Sequence, residues 1–445
     1  MKPSVTHELL HKGFELIVPP AGFKLVSPPY TVVKGNISFS KRDTLVNAFS
    51  KFTGKQGYKH IYNQFAYSFS GVYHFMKEGR LDSAFINFEP AFLLPGNNTV
   101  EISPGAVFRF IQCNDITIEN IFLDGNSRKH ILGGSYNATV PTGYEMHAPA
   151  IFAGDCIGLY LKNIIVDDFG TIGLHIKNDN RILNTVDQQI FLNGCNFKKN
   201  GWANFYVSGG SGITIINSKF DSCGFAAKRK IITPPGAGLG FEDETGGGVN
   251  NVFIDKCNSL YNMGAAFNNA YENDSNFIVK NSSFHSYTSY SLIAAKESRF
   301  YNCKFYSPLN YYNSNLADRG KIIFHNCLFT DRINAKQPAT TPNPFLFAAG
   351  IVRSELLIDS CTFISYSSYF DYIPATLPGK VVISNCNFTQ FHTKTNYAYA
   401  YMNGVKLLNN KFRIAANENN KAYIRMLEKE KSVTVDQIKQ QGAAQ

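Results

Sequence analysis

Between Ile116 and Phe412 the chain repeats one eight-residue pattern, apolar-x-apolar-x-corner-small-x-apolar, eleven times, mostly at intervals of 21 to 25 residues. The corner position is held by Asn120, Asn163, Gly194, Asn217, Lys256, Asn281, Asn302, Asn326, Ser360, Asn385 and Asn409. Ahead of the corner, apolar residues alternate, as Ile213 and Ile215 do in ITIINSKF and Val381 and Ile383 in VVISNCNF. That is the period of a strand with one buried face. Beyond the corner the buried phase moves to the first and third residues, as at Cys327 and Phe329 of IIFHNCLF. The chain must therefore bend there while keeping its inner face inside. A residue in the left-handed conformation produces such a bend, and Asn and Gly tolerate it best.

A strand, a corner and a second strand cannot bury their apolar face alone, so successive copies are expected to stack as the rungs of a solenoid. Leucine-rich repeats share the period and an Asn, but they require Leu at fixed upstream positions, where this chain has mixed β-branched and aromatic residues. The strand-corner-strand rungs with Asn at one corner resemble those of the pectate-lyase-like superfamily of right-handed parallel β-helices. The resemblance implies an all-β fold, a right-handed parallel β-helix (solenoid) of about 11 or more rungs over residues 100–412. Residues 1–99 are expected to form an N-terminal cap region, with a helix-like stretch from Asp43 to Lys51 and an aromatic segment from Tyr58 to Phe75. Residues 413–445 are expected to form a short C-terminal helical tail. The resemblance carries no activity with it. Of the motif series of polygalacturonase-like members, only Asp167-Asp168 and His175-Ile176-Lys177 are similar, out of order. The AGLGFEDE segment is similar to a stretch found in β-helix proteins of bacterial surfaces and phages that has no assigned role.

Six of the nine cysteines, Cys195, Cys257, Cys303, Cys327, Cys361 and Cys386, directly follow a corner. Ile121, Ile164, Ser218 and Ser282 fill the same slot elsewhere. By phase these are core thiols acting as small hydrophobes, and their spacing matches no zinc or disulfide framework. The 43 basic residues exceed the 33 acidic ones by ten, which favours acidic partners such as uronic-acid polysaccharides. Nucleic acid is disfavoured, because no RGG-like tract or nucleic-acid module is present. No uncharged apolar run is long enough for a membrane span, and MKPSVTHELLHKGFELIVPP lacks the apolar run of a signal peptide. An extracellular location, or one on a cell or virion surface, then implies a leader already removed or another route of exit. No sustained heptad marks a trimerisation segment, which leaves monomer and homotrimer both open.

Three intervals are long: Asn120 to Asn163, Asn217 to Lys256 and Asn326 to Ser360. Such inserts usually build the binding face of a repeat protein. After several corners a further short strand recurs, in IGLHIKNDN, ANFYVSGG, AGLGFEDETGG and GAAFNNAYEND. Counted from the corners, its outward positions align as columns: His175, Tyr206, Gly240 and Ala266; Lys177, Ser208, Glu242 and Asn268; then Asn178, Gly209, Asp243 and Asn269. Lys177 and Glu242 would lie about 10 Å apart at the backbone, within reach of one sugar unit.

The candidate catalytic residues are therefore Lys177, Glu242, Asp243 and His175, with Tyr206, Asn268, Asn269, Tyr271, Trp202 and Arg229 as substrate-binding candidates. Elimination on a uronate needs a cation for the carboxylate, which Lys177 or Arg229 supplies, and proton-moving groups such as His175 or Tyr206. Hydrolysis needs two carboxylates, for which Glu242 with Asp243, Glu244 or Asp179 qualifies. The adjacent acids could also ligate Ca²⁺, although no cofactor is assigned. The expected function is binding and cleavage of an acidic polysaccharide by a lyase or glycoside hydrolase. The alternative is a non-catalytic glycan-binding or structural β-helix, such as a phage tailspike-like or adhesin subunit.

Overall fold

A computed structural model describes residues 16–18, 23–34, 76–77, 80–81, 101–102 and most of 108–438; segments 125–144, 179–186, 225–235, 313–319, 334–345 and 392–404 and shorter loops lie outside the description. The chain is a parallel β-helix. Each rung lays down a strand before the corner, a strand after it and a strand on a third side, and each pairs in parallel with its counterpart in the next rung. The third side forms an eleven-stranded parallel sheet running from Leu16–Val18 to Asp371–Tyr372. One continuous apolar core fills the interior. Among the described residues no helix is long and apolar enough to cross a membrane.

All eleven expected corners are left-handed, with φ between 50° and 66°. Their side chains form a hydrogen-bonded ladder on the outer edge. The amide of Asn163 donates to Asn120 at 3.2 Å, Asn302 to Asn281 at 3.2 Å and Asn326 to Asn302 at 2.8 Å. Three corners are not Asn, yet the ladder continues through them. Where the corner is Gly194, Lys256 or Ser360, the residue just before it supplies the acceptor. Asn217 donates to Asn193 at 3.2 Å, Asn281 to Asp255 at 2.7 Å and Asn385 to Asp359 at 2.8 Å. The corner thus separates two requirements, a backbone that accepts positive φ and an oxygen one rung below the next amide.

Two further left-handed columns flank the corner. Five residues before it stand Asp115, Gly158, Gln189, Gly212, Asn251, Asn276 and Glu297, and five residues after it stand Asp168, Lys199, Ser222 and Tyr261. The mixed chemistry of these positions hides them from a reading by residue type.

The slot after the corner is more than a space for a small hydrophobe. The amide N–H of Cys195 donates to Ser218 Oγ, that of Cys257 to Ser282 Oγ, that of Cys361 to Cys386 Sγ and that of Cys386 to Asn410 Oδ1. The thiols in turn donate to a carbonyl of the preceding rung, as Cys303 does to Val279 and Cys327 to Phe300. A buried N–H turned out of the strand ladder needs such a partner. Two residues further on, Phe284, Phe305, Phe329, Phe363, Phe388 and Phe412 stack ring on ring, with centroids 5.2 to 4.4 Å apart. Ser259 occupies this position in the rung of Lys256, the one rung between Phe197 and Phe412 without the Phe.

Both ends of the helix extend beyond the expected limits. Phe23–Lys34, within the expected cap, pairs with Asn114–Asp124 as an earlier rung, and Val433–Ile438, within the expected helical tail, pairs with Asn410–Ala415. Ser432, just ahead of the Val433–Ile438 strand, donates its hydroxyl to Leu407 O and accepts the Asn410 N–H on its carbonyl. Helical residues in the tail are confined, among those described, to positions 421, 424 and 425. The segments from Asp43 to Lys51 and Tyr58 to Phe75 lie outside the described residues.

Two outcomes follow. Asn302→Ala forces a Cβ-bearing residue without a local hydrogen bond into the left-handed region and breaks the ladder, an expected loss of about 2 kcal/mol in urea unfolding; Asn302→Gly keeps the backbone free and should lose about 1 kcal/mol or less. Burial pushes Cys195 up to about 11, Cys257 to about 12, and Cys223 further still. At Cys327, Cys361 and Cys386 the hydrogen-bonded thiol of the preceding rung is the first cause of an upward shift. The eight described cysteines, all buried, are therefore expected to resist a thiol reagent in the native protein and to react fully in denaturant.

Candidate functional site

The outward face of the third sheet carries the candidate chemistry. In Ile172–Lys177, Ala203–Val207 and Ala237–Phe241, residues such as Leu174, Phe205 and Leu239 point into the core, so their neighbours His175, Tyr206 and Gly240 point out. Register places Phe152, His175, Tyr206, Gly240 and Asn268 side by side in successive rungs. This corrects the expected columns in one strand. Asn268, not Ala266, continues the His175 column, because Phe267 aligns with Leu239. Asn268 stands twelve residues after its corner at Lys256, the same count that separates His175 from Asn163 and Tyr206 from Gly194. Lys177, Ser208 and Glu242 do share the next outward column, since Ile176 pairs with Val207 and Val207 with Phe241.

Glu242 is the centre of this face. Tyr206, one rung earlier, donates its hydroxyl to Oε2 at 3.0 Å, and Asn268, one rung later, donates Nδ2 to Oε1 at 2.5 Å. Two donors from opposite sides fix the carboxylate while leaving it half-buried on the outer surface. Gly240 makes the grip possible, because a Cβ there would stand 3.0 Å from the Tyr206 ring. A substituted residue in that position would push the phenol away from Glu242. The other amide atom of Asn268, Oδ1, is buried without a hydrogen-bond partner. It is an acceptor facing a site that offers it nothing, at a cost that a ligand donor would relieve.

Around this centre, His175 Nε2 lies 3.0 Å from Ser208 Oγ, and its ring meets Phe152 edge-on at 5.3 Å and Tyr206 at 5.2 Å. Trp202 packs edge-on against Tyr206 at 4.6 Å. His175, Tyr206 and Asn268 are each less than 10% exposed, whereas Glu242 and Lys177 are partly open. The open pair can meet a ligand, and the covered ones position it.

Two expected members serve other ends. Asp243 accepts the N–H groups of Gly246 and Gly247 at 2.6 and 3.1 Å on Oδ1 and the Asn273 amide at 3.1 Å on Oδ2. It caps a turn and is turned away from a paired role with Glu242. Asn269 points inward and donates to Ser298 at 3.4 Å, fully buried in the interior. Tyr271, Arg229, Asp179 and Glu244 lie outside the described residues. No group of three or more His, Cys, Asp or Glu side chains arranged to hold a metal ion occurs among the described residues. Gly240 is the residue that reading by chemistry missed, and the alternate glycines of AGLG are its trace in the sequence.

The rung of Asn268, one later than that of Glu242, also bears a second cluster. After Ser259 the register with the next rung shifts, and Tyr261 adopts φ 60° in the resulting irregularity. Its N–H donates to His285 Nδ1 at 3.2 Å, and its ring tilts against His285 at 5.4 Å. Burial pushes the His285 imidazole down to about 4.

That depression has a sign. An unfolded His titrates near 6.5, so between about pH 6.5 and 4 the unfolded chain binds more protons than the folded one. The contribution is complete above about pH 6.5 and is lost as pH falls toward 4, by up to about 3 kcal/mol. Urea unfolding of the native protein should therefore show a steeper loss of stability over this range than His285→Gln, which removes the titrating group.

No protein-family model matches the chain, and no curated protein matches it either.

Proposed function

We propose that the protein binds an acidic polysaccharide across the outer face of its third sheet and cleaves it by β-elimination at Glu242. The observation that carries this reading is the carboxylate of Glu242, partly open and gripped by Tyr206 and Asn268 from the two flanking rungs. Lys177, in the same outward column, supplies the positive charge for a uronate carboxylate. Pairing that carboxylate with an ammonium acidifies the adjacent C–H. Glu242 takes this proton, the C–O bond to the leaving sugar breaks as the C=C bond forms, and Glu242 returns the proton to the departing oxygen. One carboxylate suffices for this balance. A hydrolase would need a second one on the same face, and Asp243 is committed to its turn.

The second reading is a non-catalytic glycan-binding or structural β-helix, such as a tailspike-like or adhesin subunit. The near-complete burial of His175, Tyr206 and Ser208 favours it, since a covered network also serves to lock rungs together. Either reading places the protein outside a cell or on a cell or virion surface.

Incubation with alginate, polygalacturonate and sulfated glycans separates them, with ultraviolet absorbance of unsaturated uronate followed beside reducing ends. The expected result is a rise in both, abolished in Glu242→Gln and reduced about 10- to 100-fold in Tyr206→Phe and Asn268→Ala, which loosen the carboxylate. Retained binding with no product from any polymer would contradict the catalytic reading.

A further inference from the structure

We infer that the outer face of the strands ahead of the corner is a self-association surface, on which a second copy of this chain packs to form a two-fold dimer. This face lies on another side of the helix from the third sheet, and the inference is independent of the reading of Glu242.

Three residues before each corner the side chain points outward, between two core positions. From the rung of Gly194 to that of Asn385 this outward column carries Phe191, Phe253, Ile278, Ile323, Leu357 and Val382, all partly exposed. Register joins them rung to rung, with Thr214 and Arg299 as the interruptions. In Ile322-Ile323-Phe324, Leu356-Leu357-Ile358 and Val381-Val382-Ile383 the outward residue is as apolar as the two that fill the core. Strands covered on both faces read as such unbroken apolar runs, whereas a strand with one wet face alternates. The neighbouring side of the same helix does alternate: two residues after the corner, Asn196, Lys219, Asn258, Ser283 and Lys304 stand in register on the outside. The apolar column is therefore a local feature of one side, and a contiguous apolar patch of this kind marks an interaction surface.

Size and charge select the occupant. The eight rungs extend about 34 Å and their strands about 20 Å across, roughly 700 Å², close to the ~800 Å² that each partner of a standard interface buries. The chain carries a net charge of +10, but this side does not share it. Over these rungs the columns one, three and five residues before the corner hold, among the described residues, the acids Asp255, Glu297, Glu355 and Asp359 against the bases Lys280, Arg299 and Lys321. Arg299 is held by Glu297 at 3.0 Å, Lys321 by Glu355 at 3.7 Å and His325 by Asp359 at 3.0 Å, while Lys280 lies over the Phe253 ring at 5.7 Å. A second copy is not repelled here, and an acidic polymer finds its counter-charges already engaged. A copy also brings a stripe of the same length and the same ~4.8 Å rung spacing, so the two faces can interdigitate. One patch facing itself closes as an isologous dimer, whereas a three-fold ring pairs unlike surfaces.

Sedimentation equilibrium of the full chain tests this. At about 50 µM, above the micromolar limit for an interface of this size, the native protein is expected at twice its monomer mass of 49.6 kDa. Ile323→Lys/Leu357→Lys sets like charges opposite each other and should weaken the dimer about 100-fold. Ile323→Thr/Leu357→Thr, which suits a solvated strand, should weaken it about tenfold and keeps the test valid if the lysine pair does not fold. Thr362→Lys, on the polar side after the corner, should dimerise as the native protein does. A native protein that stays monomeric at this concentration, because another part of the chain or a different partner takes the stripe, would overturn the inference. So would an oligomer that both pairs of substitutions leave intact.

Discussion

A peptide chain that turns a left-handed corner directs polar groups away from its strand ladder, and every rung of this helix must give them partners. The solution runs along two parallel lines. Outside, side-chain amides pass hydrogen bonds from rung to rung; inside, a thiol, hydroxyl or amide takes the stray N–H, and the thiols and the Asn410 amide donate in turn to a carbonyl below. Each bond is modest, yet the lines register every rung against the next, and all further geometry depends on that registration. The stacked phenylalanines two residues beyond the inner line have the same spacing because the corners do.

The candidate site stands where this regularity is most disturbed. In the rung of Lys256 the corner Asn is replaced, its ladder oxygen moves back to Asp255, and the core Phe gives way to Ser259. Ser259 Oγ bonds Ala266 O at 2.6 Å and accepts from Asn262 at 3.0 Å, filling with polar contacts a space that elsewhere holds a ring. Gly238 passes close by: a Cβ there would stand 1.9 Å from Ser259 Oγ. One side of this rung presents Asn268 to Glu242, and another lifts Tyr261 into its unusual backbone conformation. Local departure from the repeat thus positions both polar clusters, while the ladder at Asp255 keeps the rung in line.

The fold was legible because its constraint is local and recurs. Positive φ selects Asn or Gly, inward phase selects apolar residues, and eleven repetitions average out the exceptions. The left-handed columns five residues to either side of the corner escaped notice because Asp115, Gln189, Glu297, Lys199 and Tyr261 share no chemistry. At the site, His175, Lys177, Tyr206 and Glu242 were legible from strand alternation alone. Asn268 was placed one column off although it stands twelve residues after its corner, as His175 and Tyr206 do, so its column was legible from the count. Asp243 and Asn269 show where such reading stops. A residue type and a spacing state what a side chain could do, whereas the turn that Asp243 caps and the interior that Asn269 faces are long-range outcomes.

The claim at the centre is that the ladder survives an absent corner Asn by moving its acceptor one residue back. A double-mutant cycle in urea unfolding between Asp255→Ala and Asn281→Ala measures it directly, with Lys256→Ala and Asn281→Ala as the comparison. The expected coupling is about 0.5 to 1 kcal/mol for Asp255 with Asn281 and close to zero for Lys256 with Asn281. Additive effects in the first cycle, or coupling carried by Lys256 instead, would contradict the account.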